Sequence, residues 1–402
     1  MLSFRHPTTA SQQRQFRPGK PPRMSIEPVT YNTPTWDDAD WEPYAPLVGE
    51  VTADVCVVGL GGSGLSCVRE LRSRGASVVG IDAYGVGAGA AGRNGGFLLA
   101  GTADFYHDSV AALGRVRALR IQELTLEQIE AIQQETPNSV RRTGSLRIAR
   151  SPEEELDCRA QLDCMRSDGL AVEEYEGSEG HGLLFRSDCT FQPLERCRSL
   201  ARAVVSGGAR LFEQSRAVSL SEGLVETDAG RVQCTHVIAC VDGRMERLFP
   251  ELAGQVRTTR LQMLGTAPLT DIRFTRAVYA RWGYDYWQQL PDGRVVLGGA
   301  RDRFVNAEWT EDSNPTADVQ NELNRILRDE LGVTAPVTHR WAASVGYTTT
   351  GAPILDEVRP GVWAIGAYSG TGNVIGALYG RTVAQLALTG RSDLAESLGI
   401  AT

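Results

Sequence analysis

The stretch DVCVVGLGGSGLS, residues 54–66, followed by SVVGID at residues 77–82, decides the fold. DVCVVG is a continuous apolar run of the kind a strand shows when both its faces are covered, which implies a parallel sheet. Beyond it Leu65, Val68 and Leu71 stand three apart, on one side of a helix over residues 63–74 that Gly75 stops. A second strand then ends at Asp82. Strand, helix and strand within about 30 residues form a βαβ unit, half of a Rossmann-type sheet.

Between strand and helix, GLGGSG (residues 59–64) is G-x-G-x-x-G. Gly59 permits the tight turn, Gly61 lets backbone approach a pyrophosphate, and Gly64 lets helix and strand pack closely, with Gly62 and Ser63 between them. Phosphate then sits on the helix N-terminus, where free N–H groups and the dipole favour negative charge. Asp82, followed by Ala83, is expected to accept hydrogen bonds from an adenosine ribose, and an acid there disfavours a 2′-phosphate. NAD and FAD both use such a turn. The loop GAAGRNGG (residues 89–96) decides between them: a second glycine-dense turn brings backbone N–H groups, with Arg93 and Asn94, to a diphosphate or flavin edge. A flexible surface loop is the plain alternative.

Downstream, residues 109–136 read as one long helix, SLRIARS as a strand, and SPEEELDCRAQLDCMRSDG as a helix capped by Ser151 with a solvated charged face. An αβ pattern returns from residue 194. Residues 255–299 switch to alternation, with a hairpin turn at Asp292-Gly293, and predict a separate, largely antiparallel sheet. A helix over residues 317–331 crosses it. VWAIG, the loop AYSGTGN and a helix over residues 374–388 follow.

The bulk properties exclude several functions. A net charge of −8 disfavours nucleic acid as a partner, and no apolar run reaches the roughly 18 residues of a membrane span. The eight cysteines are scattered without C-x-x-C, and the five histidines without zinc-like spacing, so no metal site is expected and a reducing cytoplasm is. Lys20 is the only lysine, which excludes a lysine base or Schiff base in the folded body. Residues 1–23 are basic and lack acids and an apolar core; they read as a disordered tail, with a transit peptide or a start at Met24 as alternatives.

TADVCVVGLGGSGLS, GAAGRNGG and VWAIGAYSGTGN together resemble the FAD-dependent D-amino acid oxidase superfamily, and within it the branch of gamma-glutamylputrescine oxidases. The resemblance runs from residue 41 to 390. It implies that Gly59, Gly61, Gly64 and Asp82 bind ADP, that Gly92, Arg93, Asn94, Gly95 and Gly96 lie near the flavin, and that the backbone of Val218 reads adenine. It also implies that Gly370, Thr371, Gly372 and Asn373 bind the flavin ring edge. Three departures accompany it. Thr371 stands where the family usually has histidine, Val345 where its amino acid oxidases place a carboxylate-binding arginine, and no lysine is present to stand near flavin N5.

The fold expected is therefore α/β: a discontinuous Rossmann-type FAD-binding domain at residues 41–108, 188–258 and 352–402, and an α+β substrate domain on a largely antiparallel sheet at 109–187 and 259–351. Residues 1–40 form a disordered or extended tail. WGYDYWQQ puts Tyr284 and Tyr286 on one face of a strand, a wall for an amine, with Arg301, Trp341 and Tyr347 as further substrate-side candidates and ordinary sheet core as the alternative. The activity expected is oxidation of an amine to an imine, with non-covalent FAD and with oxygen or another acceptor taking the electrons. An NAD-dependent dehydrogenase and a flavin-binding protein without turnover are the competing readings.

Overall fold

The computed structural model describes residues 29–37 and 40–400; the disorder expected for residues 1–23 lies outside them. Two large sheets organise the chain. The first has six strands in the order Arg210–Phe212, Val78–Ile81, Val55–Val58, His236–Cys240, Val362–Gly366, Ile354–Arg359. All neighbours are parallel except the last pair. Val55–Val58 and Val78–Ile81 are buried at every position, because helices cover one face and a small four-stranded sheet the other.

The helices on that face are Gly62–Ser73, Pro193–Ser206 and Ile375–Thr389. The last is apolar nearly all round, as a helix enclosed by protein must be. Its Gly376 and Gly380 let it lie against helix Gly62–Ser73: a Cβ on Gly380 would stand 2.2 Å from the Ser63 carbonyl oxygen. Gly64 is equally constrained, its Cβ falling 1.9 Å from the Gly59 carbonyl oxygen.

The second sheet has nine strands in the order Thr30–Tyr31, Val337–Thr348, Val256–Thr266, Val295–Gly299, Asp285–Gln289, Ala277–Ala280, Ser145–Ile148, Gly180–Phe185, Glu173–Gly177. Its pairs are antiparallel except at Thr30–Tyr31 and at Ala277–Ala280 with Ser145–Ile148. Helix Ala317–Arg325 closes one face over a core containing Trp287, Val295 and Leu297. A separate three-stranded sheet of Phe97–Leu98, Cys189–Phe191 and Val140–Arg141 packs its Phe97 ring against Tyr279 and Tyr286 of the nine-stranded one.

Four expectations are corrected. The helix expected over residues 109–136 is two, Tyr106–Leu113 and Arg115–Glu135, broken at Gly114, whose φ of +80° no helix accommodates. The second of them, expected in the substrate unit, sends Ile121 and Leu124 into the core of the six-stranded sheet. The helix Pro152–Ser167 has the expected Ser151 cap, but its Glu154 is buried, accepting from the Arg150 and Trp282 backbone N–H groups at 2.8 and 2.7 Å. Residues 30–36 belong to the folded body: Thr30–Tyr31 pairs with Val337–Thr348, and Trp36 is buried beside Trp341.

Candidate active site

One continuous cavity of about 1470 Å³ is lined by both large sheets. That exceeds the ~300–1,000 Å³ usual for a small-ligand pocket, leaving room for an extended dinucleotide and a second small molecule. At one end it is walled by Gly59, Gly61, Gly62, Ser63, Asp82 and Ala83. Gly59 has φ +104° and a Cβ there would stand 2.5 Å from the Cys240 carbonyl oxygen, so the turn requires glycine twice over. Gly61 abuts Ala91, bringing the two glycine-rich loops together. Asp82 faces this end, and its carboxylate already accepts the N–H groups of Leu60, Tyr84 and Gly85 at 2.9, 2.9 and 3.1 Å. Burial raises its pKa against those bonds.

Val218 also faces the cavity, on strand Ala217–Ser221. The ladder pairs Ala217 with Thr227 and Ser219 with Glu226, stepping over Val218. A bulge of this kind frees the backbone of the extra residue for other partners.

The loop at residues 89–96 is held by the second sheet. Its carbonyls accept from side chains: Gly92 from Trp36 Nε1 (2.8 Å), Arg93 from Trp341 Nε1 (2.9 Å), Gly95 and Gly96 from Gln288 Nε2 (2.6 and 3.1 Å). Arg93 lines the cavity but is tethered outward, Nε to the Ala342 carbonyl at 2.7 Å and Nη2 to that of Asn32 at 2.9 Å. Burial pulls its pKa down to about 10, which leaves it cationic at neutral pH. Asn94 folds the loop on itself, donating to Ala90 and Ala91 and accepting from Gly96 N–H at 2.9 Å. Asn373 Nδ2 then donates to Asn94 Oδ1 at 3.1 Å and to the Phe97 carbonyl at 2.9 Å, joining two turns that lie 279 residues apart in sequence.

Gly370, Thr371, Gly372 and Asn373 line the same cavity. This turn holds Ala367 and Ser369 at φ +54° and +52°, left-handed conformations that cluster at functional sites. Gly372 is needed because a Cβ there would press on the Tyr368 ring at 3.0 Å. The hydroxyl of Thr371, which stands where the family usually has histidine, donates to the Tyr368 carbonyl at 2.7 Å.

At the other end stand Tyr284, Tyr286, Arg301 and Tyr347. The Arg301 guanidinium sits 4.8 Å from the Tyr347 ring centre and 5.6 Å from those of Tyr284 and Trp309. Gly298, opposite Tyr286 in the ladder, has no side chain because the Tyr286 ring occupies the place of its Cβ. Val345 lines the cavity where a carboxylate-binding arginine was sought. Trp341 does not line it: fully buried, it supports the loop through the Arg93 carbonyl. Gly64, Gly92 and Gly96 likewise stand behind the wall as packing positions, the Cβ of Gly92 lying 2.3 Å from the Gly87 carbonyl oxygen and that of Gly96 2.5 Å from that of Phe191.

Several residues that shape the site carry no sequence motif. Gln288 is one. Glu213 is another, buried and accepting from Val86 N–H at 2.6 Å and Trp41 Nε1 at 3.1 Å. Asp242, whose carboxylate joins the Tyr368 and Gly346 N–H groups, and Asp188, bound to Ser145 Oγ at 2.5 Å, both line the cavity and are both pushed up to about 6 by burial. Arg196 lines it too. Among the described residues no group of three His, Cys, Asp or Glu stands close enough to hold a metal, and no helix is long and apolar enough to cross a membrane.

These residues fit FAD: side-chain-free turns where a pyrophosphate needs backbone, an exposed bulge at Val218, and a strained glycine turn opening helix Ile375–Thr389 where a flavin edge would lie. Relatives agree. The chain is 26% identical to probable oxidoreductase OrdL of Rhizobium meliloti, over 91% of this chain and 92% of that protein. It is 24% identical to gamma-glutamylputrescine oxidoreductase of Escherichia coli, over 89% of each. Glycine oxidase from Geobacillus kaustophilus shares the fold, with a TM-score of 0.70 at 18% identity, covering 85% of this chain and 96% of that one. Residues 54–386 match the family described as FAD dependent oxidoreductase (DAO), and the chain belongs to that family, which selects FAD over NAD for the dinucleotide turn.

Proposed function

We propose that this chain oxidises the carbon–nitrogen bond of a primary or secondary amine, an amine or amino-acid derivative, to an imine that water then hydrolyses. The observation carrying the reading is the continuity of the cavity from the glycine turns to the wall of Tyr284, Tyr286, Arg301 and Tyr347. FAD, when bound, accepts the hydride from the carbon next to nitrogen. Gly59, Gly61, Gly62, Ser63, Asp82, Ala83 and Val218 would hold its ADP half, and Arg93, Asn94, Gly95 and Gly370–Asn373 its ring. Burial pushes the Tyr286 and Tyr347 phenols up, so both stay neutral and serve as walls and donors, not bases. No base is required: if the amine enters neutral, desolvation and alignment supply most of the acceleration. Arg301 gives an acid-bearing amine its anchor, from a position other than Val345.

The relatives named as a gamma-glutamylputrescine oxidoreductase and a glycine oxidase support an amine or amino acid as substrate. FAD is held non-covalently in this reading, since Cys240 is the one cysteine, and no histidine stands, among the described lining residues. The free state of all eight cysteines supports a cytoplasmic setting. Electrons pass to oxygen or to another small acceptor. The test is anaerobic mixing of the flavin-loaded protein with a panel of amines and amino acids. Bleaching of the flavin bands by at least one is expected, and repetition in air with peroxide detection identifies oxygen as acceptor or removes it. A flavin that no member bleaches would overturn the reading in favour of a binding protein without turnover.

A further inference from the structure

Arg196, on helix Pro193–Ser206, is 2% exposed, and its Nε and Nη2 have no hydrogen-bond partner among the described residues. Burying a guanidinium without an anion costs several kcal/mol, and the charged neighbour that acts on Arg196, Arg69, is itself a cation. Desolvation accordingly lowers its pKa. The side chain is nevertheless placed with care. It lines the cavity, and its Nη1 occupies the space a Cβ on Gly62 would need, 2.9 Å from that position. Gly62 opens helix Gly62–Ser73, whose first N–H groups have no partner within the helix and whose first turn holds no acid. A buried cation and a helix N-terminus thus converge on one point of the cavity. That point lies on the glycine turn, at the end of the cavity that Asp82 also walls.

We infer that Arg196 is a specificity-determining residue for the diphosphate of the dinucleotide, supplying the cation that pairs with a phosphate oxygen above Gly62. The inference rests on the FAD reading of the cavity. It explains why a second glycine at position 62 follows Gly61 in GLGGSG: a side chain there would displace the guanidinium. It also explains how a cation tolerates burial with no carboxylate beside it among the described residues, the anion being that of the cofactor. Phosphate at a helix N-terminus paired with an arginine gains charge-assisted hydrogen bonds in a site closed to water.

The test uses the full chain freed of flavin and titrated with FAD, ADP and adenosine by calorimetry, comparing the native protein with Arg196→Met and Arg196→Lys. Arg196→Met keeps the length and removes the charge. It is expected to raise Kd for FAD and ADP at least tenfold, to leave adenosine within twofold, and to melt without ligand at or above the native temperature, because an uncompensated charge is gone. Arg196→Lys should recover part of the ADP affinity. Unchanged ADP affinity, equal weakening of adenosine, or a melting temperature several degrees lower without ligand would each overturn the assignment in favour of a structural arginine. If the native chain binds neither FAD nor ADP, the FAD reading fails instead. Should the flavin not be removable, the melting-linked release of flavin fluorescence from the loaded proteins reports the same contrast.

Discussion

The two ends of the cavity are built from different material. At the glycine-turn end the wall is backbone: Gly59, Gly61 and Gly62 present main chain, a Cβ on Gly59 falling 2.5 Å from the Cys240 carbonyl oxygen, and Val218 contributes a bulge the ladder leaves free. At the far end the wall is side chain: Arg301 among Tyr284, Trp309 and Tyr347, and Tyr286 lying over Gly298. Backbone geometry tolerates almost no substitution, while a side-chain wall can be exchanged without disturbing the sheet behind it. On the proposed function, one end would keep a single cofactor and the other would set the substrate. Such a division is consistent with a fold shared with a glycine oxidase at only 18% identity.

The largest expected effect breaks the backbone end. In Gly64→Ala the new methyl would stand 1.9 Å from the Gly59 carbonyl oxygen, so the turn must open. Overpacking of this kind costs ~1–3 kcal/mol or more, and here the displaced atoms belong to the turn proposed to hold the phosphate. The variant should purify with little or no flavin, measured by the ratio of flavin to protein absorbance; full flavin content would show that the cradle is more pliable than its packing indicates.

Breaking the side-chain end should leave flavin content intact and reduce turnover. Arg301→Met removes the cation shared by the Tyr284, Trp309 and Tyr347 rings, and a charge-assisted hydrogen bond is worth ~1.5–3 kcal/mol. For acid-bearing amines kcat/KM should fall about tenfold to a hundredfold, while simple amines are little affected. Equal losses for both would mean that Arg301 shapes the wall without reading charge.

The same contrast explains what could be read in the sequence. Gly59, Gly61, Gly64 and Asp82 are legible because a backbone site admits few residues at fixed spacing, and the strands around them carry continuous apolar runs. Tyr286 is reachable through strand alternation and lines the cavity, whereas Tyr284, expected on the same strand face, lines it from the turn before strand Asp285–Gln289. Trp341 was not separable from them, since an indole supporting a loop and an indole facing a substrate have the same sequence pattern. Gln288, Glu213, Asp242 and Arg196 left no trace because each acts on residues more than 50 positions away, or through a cavity that exists only after folding. The break at Gly114 and the burial of Glu154 were likewise decided by tertiary packing.

Two buried carboxylates sharpen the comparison by pH. Asp242 supports the Tyr368 and Gly346 backbone, and Asp188 lies by Ser145; both are raised to about 6. A raised carboxylate favours the protonated fold, so it destabilises the native state above its folded pKa and progressively less as pH falls from about 6 towards the ordinary value near 4. Each should add ~1 kcal/mol of stability to the flavin-free protein between pH 7.5 and pH 5. Asp188→Asn should remove that gain on its side, seen as a smaller rise in melting temperature on acidification. An unchanged pH slope would mean that Asp188 is ionised throughout this range.

The smallest effect tests the stitch between the two turns. Asn373 Nδ2 binds Asn94 Oδ1 and the Phe97 carbonyl, so the two loops flanking the expected flavin edge hold a common position before any ligand arrives. Asn373→Ala removes both bonds, each worth ~0.5–1.5 kcal/mol net. Because neither turn loses its internal bonds to Gly96, Ala91 or Tyr368, the fold should survive with the loops less well aligned. Affinity for FAD should weaken about threefold to tenfold, while affinity for ADP, which touches only the backbone end, stays as it was. A parallel loss of ADP affinity would mean that the two ends are mechanically one unit, and that the backbone end owes its shape to the far turn as well as to its own glycines.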